Sequence, residues 1–180
     1  PIVLGEEELQ LSYHTADHSE DYYNHDVLTH LYTRCKYEHD LKVFQLANYA
    51  RLTCIYMDAV GLHEINNHLG HEAGDHMLCS IADGIRKYFP DDCAYRIGGD
   101  EFAVMLDIDL PQDQLEHLLT QFLHDISGIL EQVTVSCSIG AYRFVFPQEI
   151  KHLLTETDRV LYQAKENGRA CFVMEDSTEK

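Results

Sequence analysis

Apolar positions recur along the chain in two different rhythms. Between Glu72 and Tyr88, Met77, Leu78, Ile81 and Ile85 return every three or four residues, which predicts a helix with one buried face. A short stretch from Leu62 to Asn67 and the segment 35–49, with Tyr37, Leu41, Phe44 and Ala47, read the same way. So does "LPQDQLEHLLTQFLHDI", opened by Pro111 near its first turn. "PQEIKHLLTETDRVLYQAKENG" adds a last helix, with Pro147 near its start and Gly168 past its end. Strand-like runs stand between these helices. Arg51–Met57 is apolar on both faces around Cys54, which predicts a fully buried strand. Cys93–Ile97 and Glu101–Asp107 flank Gly98-Gly99 and predict a hairpin. "QVTVSCSIGAYRF" is a long strand and "RACFVME" a final one. Upstream, a helix is expected over Glu6–His18, and Asp26 caps a short turn from which Leu28 and Leu31 point inward. The order predicts an α+β fold: a ferredoxin-like βαββαβ core with additional helices and a mostly antiparallel central sheet.

A length of 180 residues with 45% hydrophobic positions and four prolines suits one globular domain. Residues 1–24 read as a linker helix from an upstream domain, 25–176 as the domain itself and 177–180 as a tail. A chain that opens on Pro1 is expected to be a fragment or a processed piece. The net charge of −18 disfavours binding to nucleic acid or to an anionic membrane, yet permits a nucleotide whose phosphates meet cations or local basic groups. No apolar run reaches membrane-spanning length and no signal-peptide pattern is present. The piece is expected to be soluble and cytoplasmic, without direct membrane contact, in a parent that other segments are free to anchor. Six cysteines lack any C-x-x-C pair and read as small apolar residues in a reducing compartment.

"YRIGGDEFAVML", Tyr95 to Leu106, changes the picture. A hairpin turn has use for glycines and none for the acids Asp100 and Glu101 beside them. Asp58 stands at the end of the first strand, and in a βαββ sheet that strand lies beside the hairpin. Neighbouring strands are about 4.8 Å apart, close enough for Asp58 and Asp100 to share a divalent cation. Glycines without Cβ atoms let a phosphate approach the backbone. Acids next to a phosphate repel it unless a metal lies between them. Mg²⁺, or Mn²⁺ in its place, would orient a nucleoside triphosphate and stabilise the charge that develops in nucleotidyl transfer.

Five segments together resemble the GGDEF family of diguanylate cyclases, in the family's order from Asp26 to Val173. They are "DVLTHLYTR", "INNHLGHEAGDHML", "GGDEF" at Gly98–Phe102, "SIGA" and "DRVLYQAKENGR". The resemblance implies a palm-like fold shared with nucleotide cyclases and polymerases. It implies condensation of two GTP into cyclic di-GMP with release of pyrophosphate, each subunit of a homodimer holding one GTP, under the control of an upstream sensor domain. On this template Asp58, Asp100 and Glu101 are catalytic, and together with the Ala59 carbonyl they hold the metal. Asn66 and Asp75 read guanine, where an amide and a carboxylate suit its N1 and N2 hydrogens. Leu62, His63, Gly98, Gly99, Lys165 and Arg169 complete the substrate site, the last two as a phosphate-binding pair. Four positions apart near a helix end, Lys165 and Arg169 are expected on one side.

The chain departs from the family pattern at several points. Val60 stands where the family has a second Asp, and His63 where it has a phosphate-contacting Lys. A neutral imidazole is a weaker phosphate partner than an ammonium. His30 replaces a glycine and Thr33 an asparagine in the opening motif. The inhibitory R-x-x-D motif for product reads Phe89 to Asp92, without the arginine, so strong product inhibition there is not expected. These departures support an alternative: a weak or inactive GGDEF domain that binds GTP and regulates an attached or partner domain.

Overall fold

The computed structural model describes residues 23–46, 51–108, 110–130, 132–144 and 149–177. The helix expected over Glu6–His18 lies outside the described residues, as does the end of the segment expected at 35–49. In chain order the elements are β1 (Tyr32–Thr33), α1 (Arg34–Leu46), β2 (Leu52–Val60), α2 (Leu62–Leu69), α3 (His71–Tyr88), β3 (Ala94–Arg96) and β4 (Glu101–Leu106). They continue with α4 (Gln112–Ile126), β5 (Gly128–Leu130), β6 (Val133–Phe144), α5 (Ile150–Glu166) and β7 (Phe172–Asp176).

The strands form one sheet in the order β1-β3-β4-β2-β6-β5, with β7 also paired to β6. The inner path β3-β4-β2-β6 is antiparallel throughout, which is the expected ferredoxin-like core. Parallel pairing occurs where β1 joins β3 and β7 joins β6. Among the described residues no helix is long and apolar enough to cross a membrane.

Helices cover both sides of the sheet, and alternation along the strands supplies two cores. Ile55, Met57 and Ala59 of β2, Phe102, Val104 and Leu106 of β4, and Ile139 and Ala141 of β6 face one way. They pack with Ile65 of α2, Leu78, Ile81 and Ile85 of α3, and Leu115, Leu119 and Phe122 of α4. Leu52, Cys54 and Tyr56 face the other way with Ala103, Met105, Tyr142 and Phe144, against Tyr37 of α1 and Leu153 and Val160 of α5. Cys54 and Cys137 are fully buried, as their apolar neighbours predict.

Three expectations need correction. The first strand does not stop at Met57. β2 runs to Val60, because β4 pairs with it as far as Asp58 and β6 as far as Val60. Pairing partners on both sides hold an acid in extended backbone where local preference ends the strand. The strand expected from Cys93 begins at Ala94, since Asp91–Cys93 forms a 3₁₀ turn after Pro90. β1 and β5 were not expected; they are two and three residues long and carry no alternation to reveal them.

Candidate active site

The β2–β4 register sets Asp58 directly opposite Glu101, so both side chains leave the sheet on the same face. One step further, the Ala59 amide donates to the Asp100 carbonyl at 2.9 Å. That bond extends the ladder into the turn and holds Asp100 against the end of β2. Carboxylate oxygens of Asp58, Asp100 and Glu101 all lie within 4.8 Å of one another, the only such ligand group among the described residues.

Gly98 and Gly99 serve this arrangement by their lack of a side chain. Neither adopts a positive φ, so the turn is not a left-handed hairpin turn. A Cβ on Gly98 would stand 2.6 Å from Glu101 Oε2 and 3.2 Å from Glu101 Cβ, whereas one on Gly99 would meet nothing within 4 Å. Gly98 makes room for the glutamate, and Gly99 leaves the outer side of the turn open.

Asp58 is the deepest of the acids, with 14% of its side chain exposed, and its Oδ2 is ion-paired with Lys165 Nζ from the end of α5. Its other oxygen, Oδ1, is buried and accepts no hydrogen bond; nor does the Ser138 hydroxyl, which faces Asp58 from β6. Burial, and then the charge of Asp58, push the Asp100 carboxyl above the usual carboxylate range, while its own backbone amide, then Lys165 and Arg96, pull it partly back. Three converging acids with an unpartnered buried carboxylate oxygen offer the hard donors that Mg²⁺ or Mn²⁺ takes.

A second cluster lies where α2 meets α3. Gly74 of α3 lies directly against Asn66 Oδ1 of α2, and a Cβ there would also come within 3.2 Å of Leu62 Cδ1. Asn66 Oδ1 is buried without a partner, and Asp75, the next residue after Gly74, is exposed. Leu62 and Asn66 therefore share one corner beside Gly74, and Asp75 follows on the exposed side of α3. His63 is exposed one turn before Asn67, its Nε2 lying 3.1 Å from that residue's Nδ2.

Lys165 and Arg169 do not form a helical pair. α5 ends at Glu166, and Arg169 follows in left-handed backbone with φ 63° and an exposed side chain. The helical spacing rule does not reach across that break. Phe89, where the R-x-x-D reading expected an arginine, caps the C-terminal end of α3 and is 4% exposed in the core. The nearby Arg86 is engaged with the Thr29 carbonyl, Asp83 and Asp91.

Arg96 is a site residue that the sequence pattern does not single out. Its guanidinium donates to Asp26 Oδ2 at 3.1 Å and to the Gly99 carbonyl at 2.8 Å, tying the opening turn of the domain to the acidic one. A lone arginine inside a strand was the available signal, because a charge there must find partners. Ser138 belongs to the "SIGA" segment, and its place opposite Asp58 follows from the strand register.

The family model described as diguanylate cyclase, GGDEF domain, matches residues 23–171. The diguanylate cyclase DgcS of Shewanella oneidensis is 32% identical over 151 residues, which cover 82% of this chain and 51% of that protein. The probable diguanylate cyclase DgcT of Escherichia coli is 32% identical over 165 residues, covering 84% of this chain and 35% of that protein. The chain thus spans about half of the first relative and about a third of the second. Among solved structures, the coiled coil and GGDEF domain of DgcB from Caulobacter crescentus, in complex with c-di-GMP, aligns with a TM-score of 0.83. That alignment covers 97% of both chains at 17% identity and speaks for the fold alone. The family model takes in both the acidic turn and the α2–α3 corner, and on that match the chain belongs to the GGDEF-domain family of diguanylate cyclases.

Proposed function

We propose that the protein condenses two molecules of GTP into cyclic di-GMP, releasing pyrophosphate, with one GTP held by each subunit of a homodimer. The observation that carries this reading is the convergence of Asp58, Asp100 and Glu101 within 4.8 Å at the end of the β2–β4 ladder. Asp58, Asp100 and Glu101, with the Ala59 carbonyl, would hold Mg²⁺ or Mn²⁺. When bound, the ion supplies charge neutralisation and polarisation at the reacting phosphate.

The chain's own residues do the rest. Asp75 accepts from the N1 and N2 hydrogens of guanine, and Asn66 adds an acceptor that has no competing donor in the protein. A site made of such groups discriminates against adenine, which would leave them unpaired. Leu62 packs beneath the base. Gly99 leaves the turn open to the phosphates, Gly98 seats Glu101 beside them, and Lys165 and Arg169 offset their charge. His63 offers the phosphates an imidazole N–H in place of an ammonium. Each site presents one activated phosphate, so closing a ring of two nucleotides needs two sites face to face. A sensor domain elsewhere in a longer parent would control that encounter.

Incubation with GTP and Mg²⁺, followed by mass spectrometry, tests the reading. Cyclic di-GMP is expected from the parent chain and not from Asp100→Ala. GTP binding without product would instead select the regulatory reading, which Val60 favours because it brings no carboxylate to the end of β2. Buried Phe89 supports weak inhibition by product. A low-micromolar cyclic di-GMP affinity abolished by Asp92→Ala would contradict that point.

A further inference from the structure

Lys165 occupies an unusual position for a phosphate-binding residue. Its ammonium lies on Asp58 Oδ2, deep in the acidic cluster, with 31% of the side chain exposed. The same charge acts on Asp100 and on Asp158, two turns earlier on α5. Arg96, the other cation acting on Asp100, is committed to Asp26 and the Gly99 carbonyl. A carboxylate buried as far as Asp58 is costly without a partner, and Lys165 is that partner.

We propose that Lys165 is a resident counter-cation which a divalent metal must displace from Asp58, so that metal and nucleoside triphosphate bind cooperatively. This rests on the metal-dependent reading above. Both oxygens belong to one carboxylate, so a divalent ion at the unpartnered Asp58 Oδ1 and an ammonium on Oδ2 repel at close range. The four-carbon stem lets Lys165 swing away from the sheet at the end of α5. In the absence of nucleotide its charge then has no comparable partner, and the metal binds weakly. A triphosphate supplies that partner, so its arrival favours the displaced lysine and strengthens the hold on the metal. By linkage the metal strengthens nucleotide binding by the same factor.

The test is Mn²⁺ binding, followed through the electron paramagnetic resonance signal of the free ion, first alone and then with a non-hydrolysable GTP analogue. Lys165→Met is expected to bind Mn²⁺ alone roughly tenfold more tightly than the parent, because a competing cation is gone. Lys165→Gln should behave alike, and Lys165→Arg should retain the parent's affinity. The analogue should tighten Mn²⁺ binding in the parent by roughly tenfold and much less in Lys165→Met. Thermal melts establish that each variant is folded. Unchanged or weaker Mn²⁺ binding in both neutral variants overturns the inference, as does undiminished coupling to the analogue. Asp58→Asn separates the two levels. If it loses Mn²⁺ while Lys165→Met matches the parent, the metal centre stands and the role of Lys165 falls. If Asp58→Asn binds Mn²⁺ like the parent, both fall.

Discussion

Two turns meet on either side of Arg96, and they treat their acids in opposite ways. In the turn at 26–29, Asp26 Oδ2 accepts from the Thr29 amide at 2.8 Å, from the Thr29 hydroxyl at 2.7 Å and from Arg96 at 3.1 Å. Burial acts to raise its carboxyl, but these bonds outweigh it and hold the group below the usual carboxylate range. In the turn at 98–101, burial and the neighbouring charge of Asp58 raise Asp100, and no comparable set of donors answers them. Arg96 spends its charge on Asp26 and only a hydrogen bond on the Gly99 carbonyl. The first turn is an acid satisfied by its own protein. The second is left short of positive charge, a condition that a bound cation relieves and that a structure built only for stability avoids.

Replacing Asp100 should break the contrast most severely. Asp100→Asn is expected to lower cyclic di-GMP formation roughly 10³-fold, an effect of about 4 kcal/mol, measured by product mass spectrometry. The same variant should melt higher than the parent at pH 7. The raised carboxyl keeps its proton to higher pH in the folded chain than in the unfolded one. Asp100 therefore costs stability once the pH exceeds the ordinary carboxylate range, and not below it. The gain in melting temperature should vanish in acid. A lower melting point at pH 7 would mean that Asp100 is as well satisfied as Asp26.

Asp26→Ala should do the reverse, costing about 2 kcal/mol of stability at pH 7 by urea denaturation. Here the folded carboxyl is lowered, so the stability it contributes is present above the ordinary carboxylate range. That stability is lost as pH falls through the depressed value, and the parent and variant should converge in acid. Arg96 offers a finer measurement. A double-mutant cycle of Arg96→Met with Asp26→Asn should give a coupling of about 1 kcal/mol, and one with Asp100→Asn distinctly less. Equal couplings would show that the guanidinium serves both turns alike.

The smallest effect comes from adding a cation on the nucleotide side. His63→Lys should raise GTP affinity about threefold by calorimetry, because an ammonium is a stronger phosphate partner than an imidazole. Equal affinities would remove His63 from the phosphate-binding set.

Much of this is legible before folding. The helix from Glu72 to Tyr88 is found at His71–Tyr88, because its apolar stripe is a local pattern. The short segments β1 and β5 escape for the same reason, since neither is long enough to show a period. Asp58, Asp100 and Glu101 stand out as acids in apolar surroundings, yet their distances depend on which strand lies beside which. The pairing of Lys165 with Asp58, the seat of Asn66 against Gly74 and the bridge made by Arg96 have no signature in spacing. The first and last join elements remote in the chain, and the second depends on how two consecutive helices pack together. Arg169 shows the opposite error: its spacing from Lys165 is helical, but the helix has already ended.

Local pattern dictates the order of the long elements, the two apolar faces of the sheet and the inventory of acids, because periodicity and side-chain chemistry are properties of neighbouring residues. Tertiary structure alone decided which carboxylates converge, which is satisfied and which cation answers them. Those outcomes follow from strand register and burial, and both arise only when distant segments exclude water together.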